Sequence, residues 1–269
     1  MIREPILEKA LIVGMASVLS WIIVWRYRGW ALRREILDRP NHRSLHRKPI
    51  ARGGGVGLIL PLLGWAAWQS LTANNPLPWL AYLFGGTGIA VVSWIDDRKS
   101  LPALVRLWVQ IAASVIIMAV VLASLRFSFS SWWCAAVAPL LVVWIVGWIN
   151  AFNFMDGIDG IAGVQFAVWC AALGLIVPPL GPEWQVFAFV GVGAAAGFLV
   201  WNWPPAKIFM GDVGSAFCGF SIGSIPLLAS ISRTPSERLA GLATVSAFAW
   251  PFLYDSGLTL LRRWHRGAK

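Results

Sequence analysis

Charge is scarce in this sequence. Of its 269 residues only 13% are Asp, Glu, Lys or Arg, whereas an ordinary soluble domain carries about 25%. That shortage excludes a soluble globular protein. Cysteine is thinner still: Cys134, Cys170 and Cys218 each stand alone in an apolar stretch, with no C-x-x-C spacing. A disulfide framework and a thiolate metal site are thereby excluded, and the three read as small core residues. Internal repeats, linkers and low-complexity segments are also missing, so 1–269 reads as a single integral membrane domain.

What is present is apolar length. The chain is 58% hydrophobic, with a mean hydropathy of +0.69. Runs near the roughly 20 residues needed to cross a bilayer recur at about 6–25, 54–71, 78–95, 103–125, 133–149, 160–178, 184–201, 213–231 and 239–261. They are continuous rather than alternating, which selects helices over a barrel. The expected fold is therefore all-α, a polytopic membrane helical bundle of about nine transmembrane helices. The first run reads as an uncleaved span, because Arg3 and Lys9 are mixed with Glu4 and Glu8 and no small-x-small cleavage site follows. Many of the 18 tryptophans, including Trp21, Trp25, Trp79, Trp94, Trp148, Trp184 and Trp201, fall near run ends, as an interfacial aromatic belt would.

The 22 Lys and Arg outnumber 12 Asp and Glu for a net charge of +10. In a soluble chain this would suggest nucleic acid; here it is a topology signal. With the N-terminus outside, 17 of the 22 basic residues fall on the inner side, nine of them in 26–52. The positive-inside rule then places the C-terminus in the cytoplasm, and no nucleic-acid partner is needed.

The acids are the better guide to chemistry. Asp96 and Asp97 end the third run, Asp156 and Asp159 lie between the fifth and sixth, and Asp212 precedes the eighth, so all five share the inner face. Repelling carboxylates in short loops call for a cation, and an oxygen-rich set favours Mg²⁺ or Mn²⁺ over zinc. The competing reading is helix capping or pairing with basic loops. Neighbours on a helix point about 100° apart, so one member of the Asp96-Asp97 pair can face a metal and the other a substrate. In NAFNFMDGIDG (150–160), Asn153, Asp156 and Asp159 stand at i, i+3 and i+6, one face if the segment is helical.

The inner loop DRPNHRSLHRKPIARGGG (38–55) mixes arginines with three glycines whose N–H groups suit phosphate oxygens. Binding of anionic lipid headgroups is the simpler alternative. His42 and His46 lack a third nitrogen or sulfur ligand for zinc. PPAKIFMGDVGS (204–215) brings Lys207 and Asp212 to the same face, where a helix starting near Gly214 would aim N–H groups at an anion. Asp255 lies inside the ninth run, where a carboxylate is a functional candidate.

Together these elements resemble the polyprenyl-phosphate N-acetylhexosamine-1-phosphate transferases, the MraY/WecA-like family of glycosyltransferase 4. The matching residues are D-x-P-N-x-R-S-x-H (38–46), R-G-G-G (52–55), the DD pair at 96–97, N-x-x-N-x-x-D-G-x-D-G (150–160) and P-A-x-x-F-M-G-D-x-G-S (205–215). They are most similar to the WbpL-type branch, associated with O-antigen and other surface polysaccharides. The resemblance implies Mg²⁺-dependent (or Mn²⁺-dependent) transfer of a sugar 1-phosphate from a UDP-N-acetylhexosamine to undecaprenyl phosphate, releasing UMP at the cytoplasmic face of a bacterial inner membrane. It assigns Asp96, Asp97, Asp156 and Asp159 to catalysis, His46, Arg52, Lys207 and Asp255 to substrate, and Asn153 and Asp212 to the metal. Self-association into a homodimer is left open, as is one-step against covalent-intermediate transfer. The family's terminal A-H-R-x-H motif has no counterpart in RRWHRGAK (262–269), so a shortened last loop is expected. A membrane transporter and an inactive, shortened family member stand as the alternatives.

Overall fold

The computed structural model describes residues 3–40, 48–124, 132–176, 181–231 and 234–265. They form nine helices: α1 (Arg3–Arg33), α2 (Val56–Thr72), α3 (Leu77–Lys99), α4 (Ala103–Ser124), α5 (Trp132–Met155), α6 (Ile161–Leu175), α7 (Pro182–Asn202), α8 (Gly211–Ala229) and α9 (Pro235–His265). Helices follow from the runs themselves, since backbone polar groups in hydrocarbon must pair within their own segment.

Six of the nine, α1, α3, α4, α5, α7 and α8, are long and apolar enough to cross a membrane, which makes this a multi-pass membrane protein. Among the described residues, nine helices fall on the nine expected runs and six of them meet that length and composition. Helices α2 and α6 are apolar but only 17 and 15 residues long. At 1.5 Å per residue they reach roughly 25 Å, short of the ~30 Å hydrocarbon core. Helix α9 has the length, at 31 residues, but Asp255, Arg262 and Arg263 interrupt its apolar character.

Helix α8 is the axis of the bundle. Within it 94% of the apolar window is buried, against 11% in α1, and α2, α3, α4, α5, α6 and α9 all touch it. One hydrophobic core runs from Val24 and Ala31 of α1 to Ala249 and Phe252 of α9. Small residues allow this density, as they do generally in membrane bundles. On α7 a Cβ on Gly193 or Gly197 would strike α1 backbone carbonyls, and on α8 one on Gly219 would strike Trp148 of α5.

The aromatic belt needs partial correction. Trp21 and Trp25 are 40% and 51% exposed, as a belt requires, but Trp79, Trp148 and Trp184 are buried. Trp79 and Trp184 stack at 3.8 Å between α3 and α7. Burial in a packed groove won over interfacial placement. Cys170 and Cys218 are free and buried, as read from sequence; the Cys134 side chain lies outside the described residues.

An element absent from the all-α expectation closes one end. Strands β1 (Leu37–Asp38), β2 (Ile50–Arg52) and β3 (Ile208–Phe209) form a sheet in the order β1-β2-β3. β1 pairs antiparallel with β2, and β2 pairs parallel with β3, setting Ala51 opposite Ile208 and Arg52 opposite Phe209. Strands of two or three residues carry no periodic signal, so hydropathy cannot show them.

Past β2 the glycines continue the zipper. Gly53 and Gly54 N–H groups donate to the Phe209 carbonyl, and Gly55 N–H to that of Met210. α2 and α8 then start side by side, and a Cβ on Gly55 would run into the Gly214 backbone. Gly55→Ala is accordingly expected to cost about 1–3 kcal/mol of stability. Gly64→Ala, on an exposed face of α2 with nothing within 4 Å, should be neutral or stabilising by up to about 1 kcal/mol. Thermal unfolding of both variants in detergent measures the contrast.

Candidate active site

The sheet brings the Arg52 strand beside the segment leading into α8, and the ends of α3 and α4 complete an ion network around it. Asp97, in the last turn of α3, is the centre. Its Oδ1 accepts the Asp212 N–H at 2.8 Å and its Oδ2 the Val213 N–H at 3.1 Å. The carboxylate therefore caps the start of α8, where N–H groups lack helical partners and the helix dipole favours an anion. Arg52 Nε lies 2.8 Å from the same Oδ1, and the Asp97 side chain is fully buried. Gly211, at φ +76°, leaves room for it: a Cβ there would sit 2.5 Å from Asp97 Oδ2.

Asp212 projects from that first turn between two guanidinium groups. Arg52 Nη2 reaches Oδ1 at 2.7 Å and Arg106 Nη1 reaches Oδ2 at 3.3 Å. Arg106, in the first turn of α4, also holds Asp96 Oδ2 at 2.8 Å, while Asp96 Oδ1 accepts the Leu101 N–H at 2.6 Å. The two neighbouring aspartates diverge as the helical angle requires, but both point at groups of the protein itself. Burial works against the charge on Arg52, yet Asp97, Asp212 and Asp38 together raise its pKa above the usual value.

The expected i, i+3, i+6 face of a helix is not formed. α5 ends at Met155, so Asn153 is helical while Asp156 and Asp159 sit in the turn before α6; the glycines there break the helix. Asn153 Oδ1 takes the Ser215 hydroxyl of α8. Asp159 Oδ2 takes the Ala206 N–H at 2.9 Å, fastening this turn to the β3 segment. Asp156 feels the network without an arginine of its own. Its carboxyl is pushed up to about 7, first by desolvation and then by the charge of Asp212, with Asp97 and Asp159 adding and Arg52 opposing.

The structure thus brings Asp96, Asp97, Asp212 and Arg52 into one network, with Asp156, Asp159 and Asn153 along its edge. Lys207 is not part of it: its ammonium lies over the Trp201 ring at 5.6 Å. Asp255 is exposed on α9 and forms no ion pair with the network among the described residues. His42 and His46 lie outside the described residues. Two sequence-level readings are corrected. The R-G-G-G amides are spent on Phe209 and Met210 carbonyls rather than offered to phosphate. The anion at the start of α8, which begins at Gly211 rather than near Gly214, is the chain's own Asp97.

Sequence reasoning missed Arg106, which it counted only toward topology. No local signal marked it, because the need of Asp96 and Asp212 for a counter-ion follows only from the fold that buries and gathers them. It also missed Asn202, whose Oδ1 accepts the Gly160 N–H at 3.0 Å while its Nδ2 donates to the Ile208 carbonyl at 2.9 Å, joining the Asp159 turn to β3. Among the described residues no three His, Cys, Asp or Glu side chains are grouped so that they could hold a metal ion; the arginines occupy Asp96, Asp97 and Asp212. The donor chemistry does fit a hard cation, since Asp212, Asn153 and Asp156 offer only oxygens among the groups able to ligate it.

Asp156 sets a pH dependence of stability. Its carboxyl keeps its proton up to about 7 in the fold against an ordinary 3.8, so the folded state binds more protons and loses stability as pH rises across that interval, with no further loss above it. In metal-free detergent solution, the melting temperature of Asp156→Asn relative to wild type should climb from pH 4 to 7 and then level off. A constant difference would remove the assignment.

The chain matches the model of glycosyl transferase family 4 over residues 79–230. It is 31% identical over 227 residues to a Bacillus subtilis protein named as a probable undecaprenyl-phosphate N-acetylglucosaminyl 1-phosphate transferase, covering 81% of this chain and 62% of that one. It is 30% identical over 291 residues to the decaprenyl-phosphate N-acetylglucosaminephosphotransferase of Mycobacterium tuberculosis, covering 93% and 67%. It is also 31% identical over 193 residues to the phospho-N-acetylmuramoyl-pentapeptide-transferase of Microcystis aeruginosa, covering 66% and 53%. The chain thus spans about three-fifths of the length of the curated relatives it matches. The matched segment holds every member of the ion network except Arg52, and the chain belongs to glycosyl transferase family 4.

Proposed function

We propose that this protein transfers an N-acetylhexosamine 1-phosphate from a UDP-sugar to undecaprenyl phosphate at the cytoplasmic face of a bacterial inner membrane, in the first step of O-antigen or another surface polysaccharide. A bond forms between the acceptor phosphate and the sugar phosphate, the donor's diphosphate bond breaks, and UMP leaves. The observation that carries this reading is the Asp97-centred network, in which three sequence-distant motifs converge at one end of an apolar bundle. The basic residues of the adjoining loops favour that end as cytoplasmic, and the relatives' names supply the reaction class.

Arg52 and Arg106 are the donor-phosphate ligands in this scheme. Their side chains are 33% and 35% exposed while held by the aspartates, so phosphate oxygens reach the same forks that grip carboxylates. Asp212 and Asn153 would hold Mg²⁺, whose chemistry there would be charge compensation for a diphosphate and its leaving group. Asp97, with no exposed side-chain surface, positions Asp212 rather than meeting substrate. Asp96 is anchored on Arg106, while Asp156 is less committed and faces the same charges.

UMP release from a panel of UDP-N-acetylhexosamines, with undecaprenyl phosphate in purified membranes, tests the scheme. Turnover should vanish with EDTA and return with Mg²⁺. Asp212→Asn and Arg106→Gln should each lower kcat/KM by at least about a hundredfold, the order expected when one preorganised electrostatic partner is removed. Full activity in both variants, or UDP-sugar movement across proteoliposomes without UMP, would overturn it.

A further inference from the structure

Helix α1 carries a second polar feature away from the aspartates. A cavity of about 450 Å³ is lined by Trp25, Arg26, Gly29 and Arg33. These positions recur at three- and four-residue intervals, so one face of the helix presents them along two successive turns. Gly29 makes the notch: the nearest atom to a Cβ built there is Arg33 Nη1 at 3.8 Å, and nothing else lies within 4 Å. Trp25 is one wall, 51% exposed and stacked on Trp21 at 6.4 Å. Arg26 leans toward it at 6.0 Å from the ring centroid. Both arginines are exposed, and among the described residues no carboxylate lies within ion-pair distance of either.

Two guanidinium groups beside a vacant notch suit a phosphate. The neighbouring surface decides what carries it. Toward the N-terminus α1 exposes Met15, Val18, Leu19 and Ile22, between 41% and 65%, an apolar flank with no protein cover that meets acyl chains in a bilayer. A free phosphate has no use for that flank, whereas a phospholipid places its headgroup among the arginines and its tails along the helix. We propose that the Trp25–Arg33 notch binds the phosphate headgroup of an anionic bilayer phospholipid. The site shares no residue with the Asp97 network, and its occupancy does not depend on the transferase reading.

The test is lipid retention by the full chain, purified from nanodiscs of equal phosphatidylglycerol and phosphatidylcholine into detergent and weighed by native mass spectrometry. Wild type should keep phosphatidylglycerol in preference. Arg26→Gln and Arg33→Gln should each weaken that retention about fivefold, the scale of one juxtamembrane arginine acting on an anionic headgroup. Gly29→Leu, which fills the notch and leaves both charges in place, should weaken it comparably, with an unchanged melting temperature showing that the bundle is intact. Unchanged retention in Gly29→Leu and in the double arginine variant would overturn the proposal. So would release of the lipid by moderate inorganic phosphate, which would mean that the site reads a bare anion.

Discussion

The fold depends at its functional end on one carboxylate. Asp97 sits on the first turn of α8, accepts two of its unpaired N–H groups and receives Arg52 from the neighbouring strand. A helix start is ordinarily capped by the residue just before it; here the cap arrives from 115 residues away. The last turn of α3, the start of α8 and β2 are therefore fixed to one another by a single side chain. A charge so buried is tolerated because hydrogen bonds and a guanidinium surround it. Moving any of the three elements would strand it.

Around that point like charges are held closer than water would require. Asp96, Asp97 and Asp212 are kept together by two arginines, each bridging two of them. Asp156 has no ion pair of this kind among the described residues, and burial first pushes its carboxyl up to about 7. Arginines offset the repulsion among Asp96, Asp97 and Asp212, while burial and the neighbouring charges hold the Asp156 carboxyl above its ordinary value.

Much of this was legible in the sequence. Continuous apolar runs gave the helices within a few residues, and the gathering of aspartates between them marked the end where chemistry collects. What stayed hidden was of two kinds. Length and polarity thresholds separate six spans from nine, and α2, α6 and α9 fall just beyond them. Partnership across long separations has no local trace: nothing near Arg106 shows that it faces Asp96 and Asp212, and nothing near Gly55 shows that Phe209 and Met210 claim the loop's amides. The glycines of 53–55 read as suited to phosphate, but their amides meet this chain's own carbonyls. Tryptophans were misplaced for a related reason, since the end of a run and the interior of a bundle can coincide, as at Trp79 and Trp184.

The small sheet makes the two sides of the site mechanically unequal. Arg52 and Asp212 are carried by strands and helices that leave the parallel β2–β3 pair side by side, with glycine backbones in contact. The opposite wall, bearing Asp156 and Asp159, is a turn suspended from Ala206 and Asn202 by single hydrogen bonds. One side of the network is thus held by paired strands and touching backbones, and the other by hydrogen bonds from a turn.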